Sequence, residues 1–158
     1  MEEKLKTVLI TGVSSGIGEA LAKIFVSNKY NVIGVARREK RLSELKQSFK
    51  PNDEYFDFFT IDVSKKSEIE KFVEEINSKY SVECLINNAG VSSFKKALDD
   101  SLSDIENVIN TNLLGPIYLI KKLLPQMVEN KSGVIINVLS VVNKKIFTNS
   151  SVYSASKV

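Results

Sequence analysis

Residues 11–20 read TGVSSGIGEA, and they stand between the apolar run TVLI (7–10) and LAKIFVSN (21–28), whose apolar residues have helical spacing. Three glycines therefore fall between a predicted strand and a predicted helix. The first turn of a helix offers unpaired N–H groups and a positive dipole end, and small residues let a pyrophosphate approach them. The stretch predicts a phosphate-binding turn whose nucleotide-contact candidates are Gly12, Ser14, Ser15, Gly16, Ile17 and Gly18.

A plain connection between a strand and a helix is the competing interpretation, but two glycines would be enough for that. The spacing differs from the common G-x-G-x-x-G fingerprint. A P-loop would also need a G-K-[ST] ending, which this turn lacks, so the sequence disfavours an ATPase.

Outward from this turn, short apolar runs alternate with longer amphipathic segments. Runs rich in β-branched and aromatic residues predict five strands, namely TVLI, NVIGVA, YFDFFTI, VECLIN and GVIINVL. Helical spacing predicts helices over 17–28, 39–49, 65–80 and 104–129. The alternation predicts an α/β fold, a doubly wound, Rossmann-like parallel sheet of strand order 3-2-1-4-5, as a single NAD(P)-binding domain over residues 1–158.

Composition excludes several functional classes. The 158 residues carry a formal charge of +3, with the charges scattered along the chain, so nucleic acid is not the expected partner. We expect a soluble, cytoplasmic protein without membrane contact, because no apolar run approaches the length of a membrane span. There is no histidine and only one cysteine, Cys84, so we expect no metal site and no Ser-His-Asp chemistry.

The end of the second predicted strand distinguishes between the two nicotinamide dinucleotides. An acid there would bond the adenosine ribose 2′-hydroxyl, whereas an arginine accommodates a 2′-phosphate. This chain has Arg37 and Arg38, with no acid before Glu39. Two solvated arginines at a helix start are the alternative, but positive charge there is mildly unfavourable. The sequence therefore predicts NADP(H), preferred over NAD(H).

An ordered set of further motifs resembles the short-chain dehydrogenase/reductase family. The set comprises Thr11-Gly12-x-x-x-Gly16-Ile17-Gly18, Asp62-Val63, Asn87-Asn88-Ala89-Gly90, Asn112, Ser140 and Tyr153-x-x-x-Lys157. The resemblance implies an oxidoreductase that moves a hydride between NADP(H) and a carbonyl or alcohol of a small molecule. It also implies cofactor contacts by Asp62, Val63, Asn88, Ala89, Gly90, Tyr153 and Lys157.

The resemblance assigns the catalytic roles to Asn112, Ser140, Tyr153 and Lys157. Tyr153 would be the acid and base, and Ser140 would donate a hydrogen bond to the substrate oxygen. Lys157 lies four residues after Tyr153, so on a helix it shares a face with the tyrosine, where its charge favours the phenolate. By the same resemblance, it would also bond the nicotinamide ribose.

The main-chain carbonyl of Asn112 is predicted to lack a hydrogen-bond donor within its helix. Pro116, four residues later, has no N–H, so the carbonyl of Asn112 loses its usual helical donor and is free to hold a water. In the family this water continues a proton relay to the lysine. The alternative is that Gly115-Pro116 only bends the helix.

Members of the family continue well beyond the position that matches Val158. We therefore expect the sequence to be the N-terminal portion of a longer chain, without the C-terminal part of the fold and with its fifth strand at an exposed edge. A full-length protein would be a homo-oligomer, a dimer or a tetramer. The alternative function is a truncated nucleotide-binding module that binds NADP(H) without catalysis. The substrate cannot be read from these residues.

Overall fold

A computed structural model describes residues 5–145 and 147–157. Five parallel strands form one sheet of order β3-β2-β1-β4-β5, which confirms the predicted fold class and strand order. The strands are β1 (Thr7–Thr11), β2 (Asn31–Ala36), β3 (Phe56–Thr60), β4 (Val82–Asn87) and β5 (Val134–Asn137). Residues 1–4, 146 and 158, which the predicted domain includes, lie outside the described residues.

Six α-helices cover the two faces of the sheet in the described ranges. They are α1 (Gly16–Ser27), α2 (Glu39–Ser48), α3 (Lys66–Asn77), α4 (Leu102–Ile109), α5 (Gly115–Glu129) and α6 (Ser151–Ser156). Short 3-10 turns occupy Asp53–Tyr55 and Val141–Asn143, and a π-helical turn occupies Asn110–Leu114. In these ranges no helix is both long and apolar enough to cross a bilayer.

Successive residues of β1 point to opposite faces of the sheet, and each face has its own hydrophobic cluster. Val8 and Ile10 pack with residues of α1 and α2, whereas Leu9 packs with residues of α3 and α5. Coverage on both faces explains the continuous apolar runs of the central strands.

The fifth strand is the last in the sheet order, and it is far more exposed than the first. All five residues of β1 are buried, whereas Val134 of β5 is 54% exposed and Ile136 is 43% exposed. The register aligns Ile10, Ile86 and Ile136 in one row across β1, β4 and β5. The expected exposed edge is thus present on β5.

The prediction of one continuous helix over 104–129 was wrong in its interior. The chain forms α4, then the π turn, then α5. The N–H of Gly115 donates to the carbonyl of Asn110, five residues back, so the turn is wider than an α-helical turn. Two consecutive residues, Thr111 and Asn112, are buried there.

Candidate functional site

The glycine turn is held between the ends of β1, β2 and β4. Gly12 has φ +76°, a conformation that favours glycine, and a Cβ there would come within 2.9 Å of the Ala89 Cα. The Gly12 N–H donates to the Val35 carbonyl at 2.7 Å. The close approach to Ala89 explains why a residue with a side chain cannot replace this glycine.

Thr11 and Asn88 fasten the glycine turn to β4. The Thr11 hydroxyl accepts from the N–H groups of Asn88 at 3.1 Å and Ala89 at 2.9 Å, and the Asn88 amide donates to the Thr11 carbonyl at 2.9 Å. The Asn87-Asn88-Ala89-Gly90 segment therefore also fixes the end of β4 against this turn. The hydroxyl of Thr11 is a supporting group that the sequence analysis did not single out.

The two arginines after β2 lie in different surroundings. Arg38 donates from Nη2 to the hydroxyls of Ser14 at 2.8 Å and Ser15 at 2.9 Å. Arg37 instead lies 4.0 Å from the Asp62 carboxylate. The Arg38 guanidinium thus borders the glycine turn, and that of Arg37 borders the end of β3. Both side chains are exposed.

Asp62 also caps the turn that leads into α3. Its carboxylate accepts from the N–H of Ser64 at 3.0 Å and from the Ser64 hydroxyl at 2.8 Å. The Asp62 N–H donates to the Glu68 carboxylate at 2.7 Å, and this bond, with help from Lys65, lowers the pKa of Glu68.

These groups surround a cavity of about 300 Å³ at the carboxyl ends of the strands, here named the nucleoside cavity. The cavity lies between the ends of β1 and β4, where the strand order reverses. Most of the predicted cofactor contacts line it, together with Val35, Ala36, Ile61, Val91 and Thr111. The predicted ones are Gly12, Ser14, Ser15, Ile17, Arg37, Arg38, Asp62, Val63, Asn88, Ala89 and Gly90. Gly16 and Gly18 shape the turn and are not among its lining residues.

The lining chemistry fits a phosphorylated adenosine. The start of α1 and the pair Arg38–Ser14 offer hydrogen-bond donors for phosphate oxygens. Apolar side chains such as Ala36, Ile61 and Val63 provide the walls that a flat base needs. The combination suits an adenine nucleotide with an additional phosphate.

A second cavity, of about 250 Å³, adjoins the first and is here named the carbonyl cavity. Tyr153 and Lys157 both line it. The two cavities share Ile17, Asn88, Gly90 and Val91. A molecule that spans both would therefore run from the arginines to Tyr153.

Lys157 is buried at the end of α6, with 7% of its surface exposed. Its Nζ donates to the Val138 carbonyl at 3.0 Å, and burial lowers the pKa of the ammonium group. Among the described residues, no carboxylate forms a salt bridge with it. Burial therefore disfavours the charged form, and the ammonium group releases its proton more readily than that of a solvated lysine.

The side chain of Asn112 joins two segments that are far apart in sequence. It accepts from the Val91 N–H at 2.8 Å and donates to the Val91 carbonyl at 2.8 Å and the Ser156 hydroxyl at 2.9 Å. Ser156 directly precedes Lys157. The amide thus fixes α6 against the loop after β4, a function that the sequence analysis did not foresee.

The fourth predicted catalytic residue, Ser140, makes its hydrogen bond within the loop after β5. It begins the 3-10 turn after β5, where its hydroxyl accepts from the Val142 N–H at 3.4 Å. It is not among the lining residues of the carbonyl cavity, and the described contacts include no hydrogen bond from Ser140 to Tyr153. Tyr153 and Lys157 thus line one cavity, and Ser140 caps the 3-10 turn that follows β5.

Phe94 is a neighbour of Tyr153 that the sequence analysis missed. The two rings pack with centroids 5.9 Å apart and planes at 49°. Phe94 is nevertheless 66% exposed. Its signal in the sequence is an aromatic residue inside the otherwise polar stretch SSFKK.

A profile of the short chain dehydrogenase family matches residues 6–158. The chain belongs to this family. It is 34% identical over 152 residues to the NADP-dependent 3-hydroxy acid dehydrogenase YdfG of Escherichia coli, a match that covers 95% of the chain and 60% of that relative. The chain thus spans about 60% of the length of this curated relative.

Solved structures give the same result for the fold. The closed form of a serine dehydrogenase complexed with NADP+ superposes with a TM-score of 0.87 at 33% identity, covering 96% of this chain and 60% of that one. A metagenomic short-chain oxidoreductase in complex with NADP superposes with a TM-score of 0.91 at 27% identity, covering 96% of this chain and 69% of that one.

Proposed function

We propose that this chain binds NADP(H) and provides the acid-base groups for hydride transfer between that cofactor and a carbonyl or alcohol. The observation that carries the proposal is the continuity of the two cavities through Ile17, Asn88, Gly90 and Val91. A dinucleotide lying along this path would have its adenosine beside the arginines and its reactive ring beside Tyr153. The names of the NADP-dependent and NADP-bound relatives support the same cofactor.

Preference for the phosphorylated cofactor follows from the charges around the adenosine end. Arg38 reaches Ser14 and Ser15 and still has Nη1 free of hydrogen bonds among the described contacts. A 2′-phosphate would accept from this guanidinium and from the serine hydroxyls, and such charge-assisted bonds are among the strong ones. NADH offers no phosphate at this position and would gain nothing from Arg38.

The chemical step requires a proton at the substrate oxygen. NADP(H) supplies or takes up the hydride at the substrate carbon. In reduction, the Tyr153 hydroxyl gives its proton to the oxygen, and in oxidation the phenolate removes it. Lys157, on the same cavity wall, favours the phenolate through its charge and returns a proton to it. The Ser140 hydroxyl accepts from the Val142 N–H and keeps its own O–H available to donate to the substrate oxygen.

Asn112 would contribute to the reaction by holding Lys157 in place, without itself contacting the substrate. Its side-chain bonds to Val91 and Ser156 hold Lys157 in place from the residue before it. Its main-chain carbonyl has no helical donor at Pro116, so the water-holding role remains our proposal for that atom.

We further propose that the protein self-associates through α5. Exposed apolar residues recur on one side of the π turn and α5 at Leu113, Ile117, Leu124 and Val128, which are 41%, 46%, 42% and 66% exposed. Such a stripe is typical of a helix that packs against a partner. Sedimentation equilibrium should show a dimer or tetramer, and Ile117→Glu should shift the protein to the monomer. Weak dimers form at concentrations on the order of 100 µM. A wild-type protein that is monomeric at about that concentration would reject self-association.

The alternative function is cofactor binding without catalysis. The observation in its favour is that the Lys157 Nζ is bonded to the Val138 carbonyl, and that the described contacts include no bond between Lys157 and the Tyr153 hydroxyl. Such an arrangement would bind NADPH and leave the tyrosine without its cation.

Two measurements test the proposal against its alternative. Titration of NADPH fluorescence should show binding that is tighter than that of NADH. Oxidation of NADPH with a panel of ketones and aldehydes should then be detectable and should fall by about 10²- to 10⁴-fold in Tyr153→Phe. Binding without turnover would favour the non-catalytic module. Absence of NADPH binding would overturn both.

A further inference from the structure

The loop after β4 places an aromatic side chain beside the proposed acid. Phe94 packs on the ring of Tyr153 at 5.9 Å, yet two thirds of its surface face solvent. Its contact with Tyr153 is the only aromatic pair that either ring makes among the described residues. An exposed aromatic residue at a reactive group indicates a surface that a ligand covers.

Both chain neighbours of Phe94 are tied down. The Ser93 hydroxyl donates to the Asp100 carboxylate at 2.5 Å, and the Lys95 ammonium bonds the Asp104 carboxylate at 2.7 Å. Asp104 belongs to the capping box of α4 with Ser101, and these bonds lower the pKa of Asp104 to about 2. The ring of Phe94 is therefore held at Tyr153 by its flanking residues.

The carbonyl cavity beside this ring pair combines exposed apolar side chains with the polar groups of Asn88, Ser92, Tyr153 and Lys157. Ile17 and Leu139 line it and are 62% and 54% exposed. Because Ile17 also belongs to the path proposed for the cofactor, Leu139 of this cavity and the neighbouring Phe94 are the exposed apolar side chains that a hydrocarbon group of a substrate at Tyr153 would meet.

We propose that the protein acts on ketones or secondary alcohols with an apolar, preferably aromatic, substituent, and that Phe94 determines this specificity. The inference rests on the proposed function and names its substrate class. It differs from the acid that the name of the 3-hydroxy acid dehydrogenase relative implies, because a carboxylate placed against the Phe94 ring would lose hydration there, whereas an apolar group would gain from the contact.

The test compares two methyl ketones that differ in their terminal group, 4-phenylbutan-2-one and 4-oxopentanoate. Binding of each to the chain saturated with NADP+ is measured by ligand-observed NMR, because the oxidised cofactor cannot reduce a ketone. The phenyl ketone should bind at least about 10-fold more tightly. Equal or tighter binding of 4-oxopentanoate, or no binding of either ketone, would overturn the proposal.

Variants locate the preference at Phe94. Phe94→Ala should weaken binding of the phenyl ketone by about 5- to 20-fold and leave 4-oxopentanoate and NADP+ unchanged. Leu98→Ala is the matched control, because Leu98 is an apolar residue of the same loop that is 98% exposed. Identical effects of the two variants would contradict the role of Phe94.

A third variant separates this inference from the proposed reaction. Tyr153→Phe keeps the ring that Phe94 packs on but removes the acidic hydroxyl. It should retain the preference for the phenyl ketone while losing turnover. Should wild-type turnover be absent while the preference remains, the reaction is wrong and the specificity stands. Turnover without the preference, or loss of the preference in Tyr153→Phe, would refute the specificity.

Discussion

The first and fifth strands of the sheet support the two halves of the site very differently. β1 is buried along its whole length, and the glycine turn that follows it is bonded to β2 and β4. β5 is mostly exposed, and the chain after it holds Lys157 through the Val138 carbonyl and the contact of Ser156 with Asn112. The phosphate-binding corner is therefore fixed by core packing, whereas the reactive end is fixed by a small number of polar contacts.

Two isoleucines in one row of the sheet give the largest expected difference. Ile10→Ala should lower the free energy of unfolding by about 2–5 kcal/mol, since Ile10 is fully buried and its removal leaves a cavity. Ile136→Ala should cost less than about 1 kcal/mol, since Ile136 is 43% exposed. Urea unfolding measures both. Equal losses would show that β5 is packed as tightly as β1.

Removal of Arg38 should abolish the preference of the phosphate-binding corner for NADPH over NADH. Arg38→Ala should raise the Kd of NADPH by about 10- to 100-fold, the effect of losing a charged hydrogen bond. The Kd of NADH should change by less than about 3-fold on the same reasoning. Fluorescence titration measures both constants. Arg41→Ala is the control, because Arg41 pairs with Glu44 on the surface; a similar loss there would contradict a specific phosphate contact.

Removal of the Asn112 side chain should loosen the reactive half. Asn112→Ala deletes three hydrogen bonds to Val91 and Ser156, and we expect a loss of about 1–3 kcal/mol of stability. Hydrogen exchange at the Val91 amide should accelerate in parallel. Asn110→Ala is the control, because it removes a side-chain amide from the same turn and keeps the main-chain carbonyl that accepts from the Gly115 N–H. If both variants loosened Val91 alike, the bridge would not depend on Asn112.

The smallest expected effect is a loss of stability at alkaline pH, caused by Tyr80 and its partner Asp57 on β3. The Tyr80 hydroxyl donates to Asp57 at 2.9 Å, and burial together with this carboxylate raises the pKa of Tyr80 from 10.0 to about 12. Because the folded form holds its proton more tightly, this stabilisation is complete below pH 10 and is lost as the pH rises toward 12. Allowing for solvent exposure, we expect about 1 kcal/mol.

Tyr80→Phe removes the titrating group, so its stability should decline less between pH 9 and 11, a range that brackets the ordinary tyrosine pKa near 10. Thermal unfolding measured across that range checks the difference. Parallel curves for the two proteins would show that Tyr80 does not contribute to the alkaline loss.

The sheet could be predicted because its strands are covered on both faces. Continuous apolar runs separated by helical spacing leave few other arrangements, and the order followed from crossover rules. The π turn could not be predicted, because residues 110–114, NTNLL, carry no breaker and are compatible with a regular helix. Its wider path depends on packing and on Pro116, which comes after it.

The nucleotide corner was predictable for a related reason. Glycines at fixed spacing and adjacent arginines are local signals, and the structure places Gly12, Arg37 and Arg38 around one cavity. The side-chain bonds of Asn112 join residues 21 and 44 positions away, so no local pattern announces them. Phe94 was missed because its partner, Tyr153, lies 59 positions away along the chain.

The π turn has a consequence for changes in chain length. Because the π turn holds one residue more than an α-helical turn, deleting one of its residues other than Asn112 would join α4 and α5 as a regular helix and leave the two nearly in phase. Deleting a residue from within α5 would instead rotate everything after it by about 100° and turn part of the apolar stripe away from its side. The π turn should therefore tolerate the loss of one residue better than α5 does.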